Sequence, residues 1–181
     1  MLSLRSKVTI KLLDYYFLNP EAEVYINELA RILSLDPKNT ETKLKELEKE
    51  GLFKSEFRGK QRYFFLAKDN PILEHYRQIF LKTYGIEKKL KDVLNGIKGL
   101  QEAYLFGSYA NNKMDSSSDI DLLAVGAHSV LELQRIITTL QKDTDREFNV
   151  INLSSKEFEK KKKDNDPFIT NVFKTKNIKL L

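Results

Sequence analysis

Leu105-Phe106-Gly107-Ser108-Tyr109-Ala110, a polar stretch from Asn111 to Ser117, and then Ser118-Asp119-Ile120-Asp121-Leu122-Leu123-Ala124-Val125 form the part of the sequence on which the rest depends. Two short apolar runs flank a Gly-Ser turn and a pair of carboxylates, which reads as strand, turn, short helix, loop, strand. Side chains alternate across a strand, so Asp119 and Asp121 leave one face while Ile120 leaves the other. Two carboxylates on one face can hold a hard divalent cation such as Mg²⁺ or Mn²⁺ through oxygen, and paired cations roughly 3.5–4 Å apart serve in-line displacement at phosphorus. Gly107 lets the backbone approach a phosphate, and Ser108 offers a hydroxyl beside it.

Taken together, Gly-Ser-Tyr-Ala and Ser-Asp-Ile-Asp-Leu-Leu resemble the nucleotidyltransferases of the DNA polymerase β superfamily, in particular their small minimal domains. The resemblance implies a nucleoside triphosphate held at Gly107 and Ser108, with Mg (or Mn) on Asp119 and Asp121 as the catalytic carboxylates. In competent relatives a third carboxylate comes from the strand after the Asp-x-Asp hairpin. Here that strand reads Arg146-Glu147-Phe148-Asn149-Val150-Ile151-Asn152, and the best register puts Asn149 at the expected acid. An amide cannot act as a base; it can coordinate a metal through its oxygen, but without charge, so affinity for a second cation is expected to fall. Glu147 lies two residues earlier on the same face and is the rival for that position. Asn111-Asn112 also stands where many relatives carry Arg-Gly.

With 181 residues, 41% of them hydrophobic and 31% charged, the chain has the composition of one large or two small globular domains. It has no cysteine, which excludes disulfides and thiolate metal sites. No apolar run approaches the ~20 residues of a membrane span, and Met1-Leu2-Ser3-Leu4-Arg5 lacks the apolar core of a signal peptide, so the expected location is the cytoplasm. The net charge of +5 permits an acidic partner without requiring one.

Toward the N-terminus, apolar spacing predicts a helix over residues 4–18 that stops at Asn19-Pro20, and a short helix carrying Ile26, Leu29, Ala30 and Leu33. A third helix starts at Pro37 behind the Asp36 N-cap and ends at Gly51. Strand-like runs at Leu52–Glu56 and Gln61–Leu66 bracket Phe57-Arg58-Gly59-Lys60, a hairpin. Residues 1–68 therefore resemble winged helix-turn-helix DNA-binding domains. The resemblance implies duplex DNA as a partner and transcription regulation as a role, with Asn39, Thr40 and Lys43 on the recognition helix. Arg58, Lys60 and Arg62 alternate along the hairpin and are expected to share one face. The same lysines and glutamates would equally make a solvated helix laced by i,i+4 pairs.

Residues 69–98 read as a helical linker, with apolar stripes that need a partner: the catalytic domain, the winged helix, or a second copy in a homodimer. Residues 99–181 read as an α/β core. The expected architecture is thus a two-domain α+β and α/β chain: an N-terminal winged helix-turn-helix, a helical linker, and a C-terminal nucleotidyltransferase-like mixed sheet with flanking helices. Two functional classes follow. One is an enzyme transferring a nucleoside monophosphate, with AMP the favoured case, from a triphosphate to a hydroxyl of a protein or small molecule. The other is a DNA-binding regulator whose second domain binds nucleotide, or a partner protein, with weak or lost turnover. The family resemblance also allows an antitoxin-like role toward a partner toxin.

Overall fold

A computed structural model describes residues 4, 6–114, 118–144 and 146–181, apart from the side chain of residue 143. The chain divides into two compact units, Met1–Gly85 and Ile86–Leu181.

In the first unit α1 (Lys7–Leu18) is capped by Ser6, whose hydroxyl accepts from the Thr9 amide, and it buries Leu12, Leu13, Tyr16 and Phe17. The Tyr16 hydroxyl donates to the Phe64 carbonyl at 3.0 Å, and its ring meets Phe53 edge-on, so the helix is locked to the sheet by one polar and one aromatic contact. β1 (Val24–Tyr25), α2 (Ile26–Ile32) and α3 (Pro37–Lys49) follow. The Asp36 carboxylate accepts from the Asn39 amide at 2.8 Å, and Gly51, at φ 77°, closes the helix with Leu52 N–H donating to the Leu47 carbonyl.

β2 (Phe53–Arg58) and β3 (Gln61–Leu66) form a hairpin with a two-residue turn at Gly59 and Lys60, and the sheet order is β1-β3-β2. β2 runs two residues further toward the tip than its sequence suggests, β3 has the expected bounds, and β1 adds a third strand through Val24↔Phe64. Helix, short strand, two helices and a hairpin is the element order of a winged helix-turn-helix. α4 (Leu73–Thr83) also belongs to this unit: the buried Arg77 donates from Nε to the Phe17 carbonyl at 3.1 Å, and Phe80 meets Phe17 edge-on. Asn70-Pro71 precedes the helix as a turn: Asn70 Nδ2 donates to the Gly51 carbonyl at 2.7 Å, and its Oδ1 accepts from the Ile72 amide at 3.1 Å.

The second unit opens with α5 (Ile86–Leu94), so the segment expected to be one linker is divided between the units. β4 (Leu100–Phe106), α6 (Gly107–Ala110), β5 (Ile120–Gly126), α7 (Val130–Thr144), β6 (Phe148–Leu153), α8 (Ser155–Lys163), α9 (Pro167–Lys174) and β7 (Ile178–Lys179) follow, with sheet order β6-β5-β4-β7. β5 and β6 are parallel and joined through α7, while β4 is antiparallel to β5 and β7. Tyr104, Leu123 and Val125 of one sheet face are buried with Phe158, Ile169 and Val172 from α8 and α9. Leu122 and Ala124 alternate to the other face and are fully buried. The capping box Ser154/Glu157 and the N-cap Asp166 define where α8 and α9 begin.

Candidate functional site

Phe106 is paired with Asp121 across β4 and β5, so the end of one strand and the start of the next bring the Gly-Ser turn to the carboxylates. Gly107 has φ 70°, and a Cβ there would overlap Asp121 Oδ2 and lie 3.1 Å from its Cγ. The glycine is therefore required twice, by backbone conformation and by the approach of the carboxylate. The Asn111 side chain donates to the Gly107 carbonyl at 2.8 Å and Lys113 N–H to the Ser108 carbonyl at 2.9 Å, which closes the turn on itself. Part of the polar stretch, residues 115–117, lies outside the described residues. Gly107→Ala is expected to destabilise the second unit by about 1–3 kcal/mol, from the left-handed conformation and the overlap with Asp121. A thermal melt of the variant against the parent reads this directly.

Asp119 is exposed and Asp121 half-buried, and the period of two places them on the face that carries Leu123 and Val125 further along β5. Asn149 is the register partner of Asp121 across the parallel β5–β6 pair, and its Nδ2 donates to Asp121 Oδ1 at 3.0 Å. Glu147 precedes β6, gives its carbonyl to Ile120 N–H at 2.9 Å, and has an exposed side chain. The Asp121 carboxyl is held above the usual carboxylate range by burial; the bond from Asn149 opposes that shift, and the charge of Asp119 adds to it. A carboxylate such as Asp121, whose ionisation costs energy when alone, suits a divalent cation that neutralises it. Two oxygen ligands on one face fit Mg²⁺ or Mn²⁺ bound partly through phosphate and water. Among the described residues no cluster of three or more Asp, Glu, His or Cys stands ready as a metal cage.

One buried contact is not anticipated by the spacing of the sequence. Tyr109, next to Ser108, is buried, and its hydroxyl donates to Glu87 Oε1 of α5 at 3.3 Å, tying α6 to the helix that opens the unit. A glutamate inside the apolar stripe of Ile86, Leu90 and Leu94 is the signal that points to it.

In the first unit the candidate nucleic-acid face differs from expectation. Thr40 is fully buried, with its hydroxyl donating to the Asp36 carbonyl at 2.8 Å, because it shares the inward face of α3 with Leu44 and Leu47. It is not available to a base. Asn39 is exposed, and Lys43 pairs with Glu46 at 2.6 Å toward one edge of the outer face. The centre of that outer face is Lys38, Thr42, Lys45 and Lys49, at i, i+4, i+7 and i+11. Arg58 and Arg62 do not share a face. With Arg58 opposite Gln61 and Phe57 opposite Arg62, the two-residue turn shifts the parity of the alternation. Arg62 turns toward α3, donating to Glu48 at 2.7 Å and to Ser55 at 2.8 Å, whereas Arg58 pairs with Glu23 and Glu56 on the other face. Lys60 is exposed at the turn. A groove of about 500 Å³ between α3 and the hairpin is lined by Tyr25, Pro37, Lys38, Lys45, Phe57 and Lys60, among others.

Residues 88–176 match the family model described as polymerase beta, nucleotidyltransferase. No curated protein matches the chain. Among solved structures, a variant of the toxin–antitoxin MntA–HpeT is 20% identical, covering 53% of this chain and 73% of that one with a TM-score of 0.40. Reduced HlyU from Vibrio cholerae is 15% identical over 44% of this chain and 78% of that one, TM-score 0.36. A nucleotidyltransferase-like protein from Sulfolobus solfataricus is 23% identical over 41% and 68%, TM-score 0.29.

Proposed function

We propose that the chain is a DNA-binding regulator whose second unit, matched by the nucleotidyltransferase model over 88–176, binds a nucleoside triphosphate together with a divalent cation. The observation that carries the reading is the adjacency of Gly107 and Asp121: the turn that can receive a phosphate and the carboxylate that can receive its cation are in van der Waals reach of one another. In this reading the turn at Gly107 and Ser108 holds the triphosphate, and Asp119 and Asp121 hold the cation, which when bound polarises the phosphate oxygens. The exposed lysines of α3, with Lys43 and Lys60, supply positive charge for duplex DNA, and Asn39 offers a neutral hydrogen-bonding amide beside them.

Calorimetric titration of the full chain with ATP tests the nucleotide half. Saturable binding in the presence of Mg²⁺ or Mn²⁺ and its loss with chelator are expected; cation-independent binding, or none, refutes it. A second reading, transfer of AMP to a hydroxyl, is favoured by the intact Asp119/Asp121 pair. Its test is incubation with α-labelled ATP, where label on protein or release of pyrophosphate would establish it.

A further inference from the structure

We infer that this site takes one divalent cation, carried in with the nucleoside triphosphate, and has no place for a second one held by protein. The inference rests on the nucleotide-binding reading and concerns the number of cations that reading involves. One divalent cation travels with the triphosphate, whose oxygens balance it; a second would have to be held by protein, and Asp119 and Asp121 supply only two negative charges, both shared with the first. The position across the parallel strand pair, where further charge would have to come from, is Asn149. Its amide does more than omit a charge. Nδ2 donates to Asp121 Oδ1 at 3.0 Å, so one of the two carboxylate oxygens of Asp121 already faces an N–H donor. A donor within hydrogen-bond distance takes one of the lone-pair directions of a carboxylate oxygen and competes with a cation for it. Register sets the two Cα positions side by side, because Asp121 and Asn149 are partners in adjacent strands.

Asp121 Oδ2, which lies against Gly107, and the carboxylate of Asp119 remain as ligands. They suit a single cation whose other positions are filled by phosphate oxygens and water, the manner in which Mg²⁺ is ordinarily held beside a nucleotide. The triphosphate supplies the missing negative charge, so cation and nucleotide enter as one complex. Asn149 is thus a positioning residue: it orients Asp121 and sets the stoichiometry.

Native mass spectrometry of the full chain with Mn²⁺ and a non-hydrolysable ATP analogue counts the ions directly. One Mn²⁺ per protein–nucleotide complex is expected for the parent, and two for Asn149→Asp. The melting temperature of Asn149→Asp should also rise more with Mn²⁺ alone than that of the parent does. Two Mn²⁺ in the parent complex would overturn the inference while leaving nucleotide binding intact; if Glu147→Gln then reduced the count to one, Glu147 would be the missing ligand. Nucleotide bound without any Mn²⁺, or no nucleotide bound, would overturn both the inference and the reading beneath it. The parent count stands without any variant having to fold.

Discussion

Asp119→Asn combined with Asp121→Asn is expected to lower affinity for a magnesium–ATP complex by at least about 100-fold, roughly 2.7 kcal/mol. In the absence of cation the double variant should melt at or above the parent. Both halves have one origin. Burial of Asp121 and the neighbouring charge of Asp119 disfavour the ionised carboxyl, and the single bond from Asn149 offsets only part of this. A carboxyl whose pKa is raised on folding binds its proton more tightly in the folded than in the unfolded chain. Its contribution to stability is present below the unfolded value and is lost as pH rises through the folded value. Near neutrality the parent therefore carries an unfavourable charge pair that only a cation relieves. The amide pair carries none, keeps an oxygen that can accept from Asn149, and gives up the ligand. Titration calorimetry and scanning calorimetry on the same two samples measure the two effects. Parent-like nucleotide affinity in the variant would remove the carboxylates from the site; a large loss of cation-free stability would mean that they hold the fold rather than the ligand.

How much the sequence makes legible depends on how local the deciding geometry is. The strand period of two is local, so Asp119 and Asp121 can be placed on one face from spacing alone, and the Gly107 turn beside them from its flanking apolar runs. The helix caps Ser6, Asp36 and Asp166 likewise lie within three residues of the groups they bind. The third position is less accessible. Glu147 and Asn149 share a face, and only the pairing of Ile120 with Phe148 brings Asn149, rather than Glu147, beside Asp121. The facing of Arg58 and Arg62 depends on the length of the hairpin turn, which strand alternation does not encode. The burial of Thr40 depends on the elements α3 packs against, so a residue near the N-terminal turn cannot be assigned to either side from its own neighbourhood. The Tyr109–Glu87 contact joins elements more than twenty positions apart, and neither residue carries a spacing signal for the other.

The facing of the hairpin and of α3 changes which basic residues should matter for duplex DNA. Lys38, Lys45 and Lys49 project from the outer face of α3, and the Lys45–Glu41 pair at 2.6 Å is exposed, so its charge is weakly held and can exchange for phosphate. Arg62 is committed to Glu48 and Ser55, and Arg58 to Glu23 and Glu56; taking either to DNA would strand a glutamate close to the phosphates. Lys38→Ala, Lys45→Ala and Lys49→Ala together should therefore weaken binding to every duplex tested. They should also flatten the plot of log affinity against log salt by about 2.7, at roughly 0.9 for each phosphate no longer neutralised. Arg58→Ala with Arg62→Ala should change that slope by less than about 0.9, and Arg62→Ala should instead lower the melting temperature by loosening the hairpin from α3. Fluorescence anisotropy across a salt series, run on both sets of variants, separates the two surfaces. An unchanged slope in the lysine triple, with a steep fall in the arginine pair, would move the nucleic-acid interface from the outer face of α3 to the hairpin. An unchanged slope in both would leave the first unit as a module for some other partner.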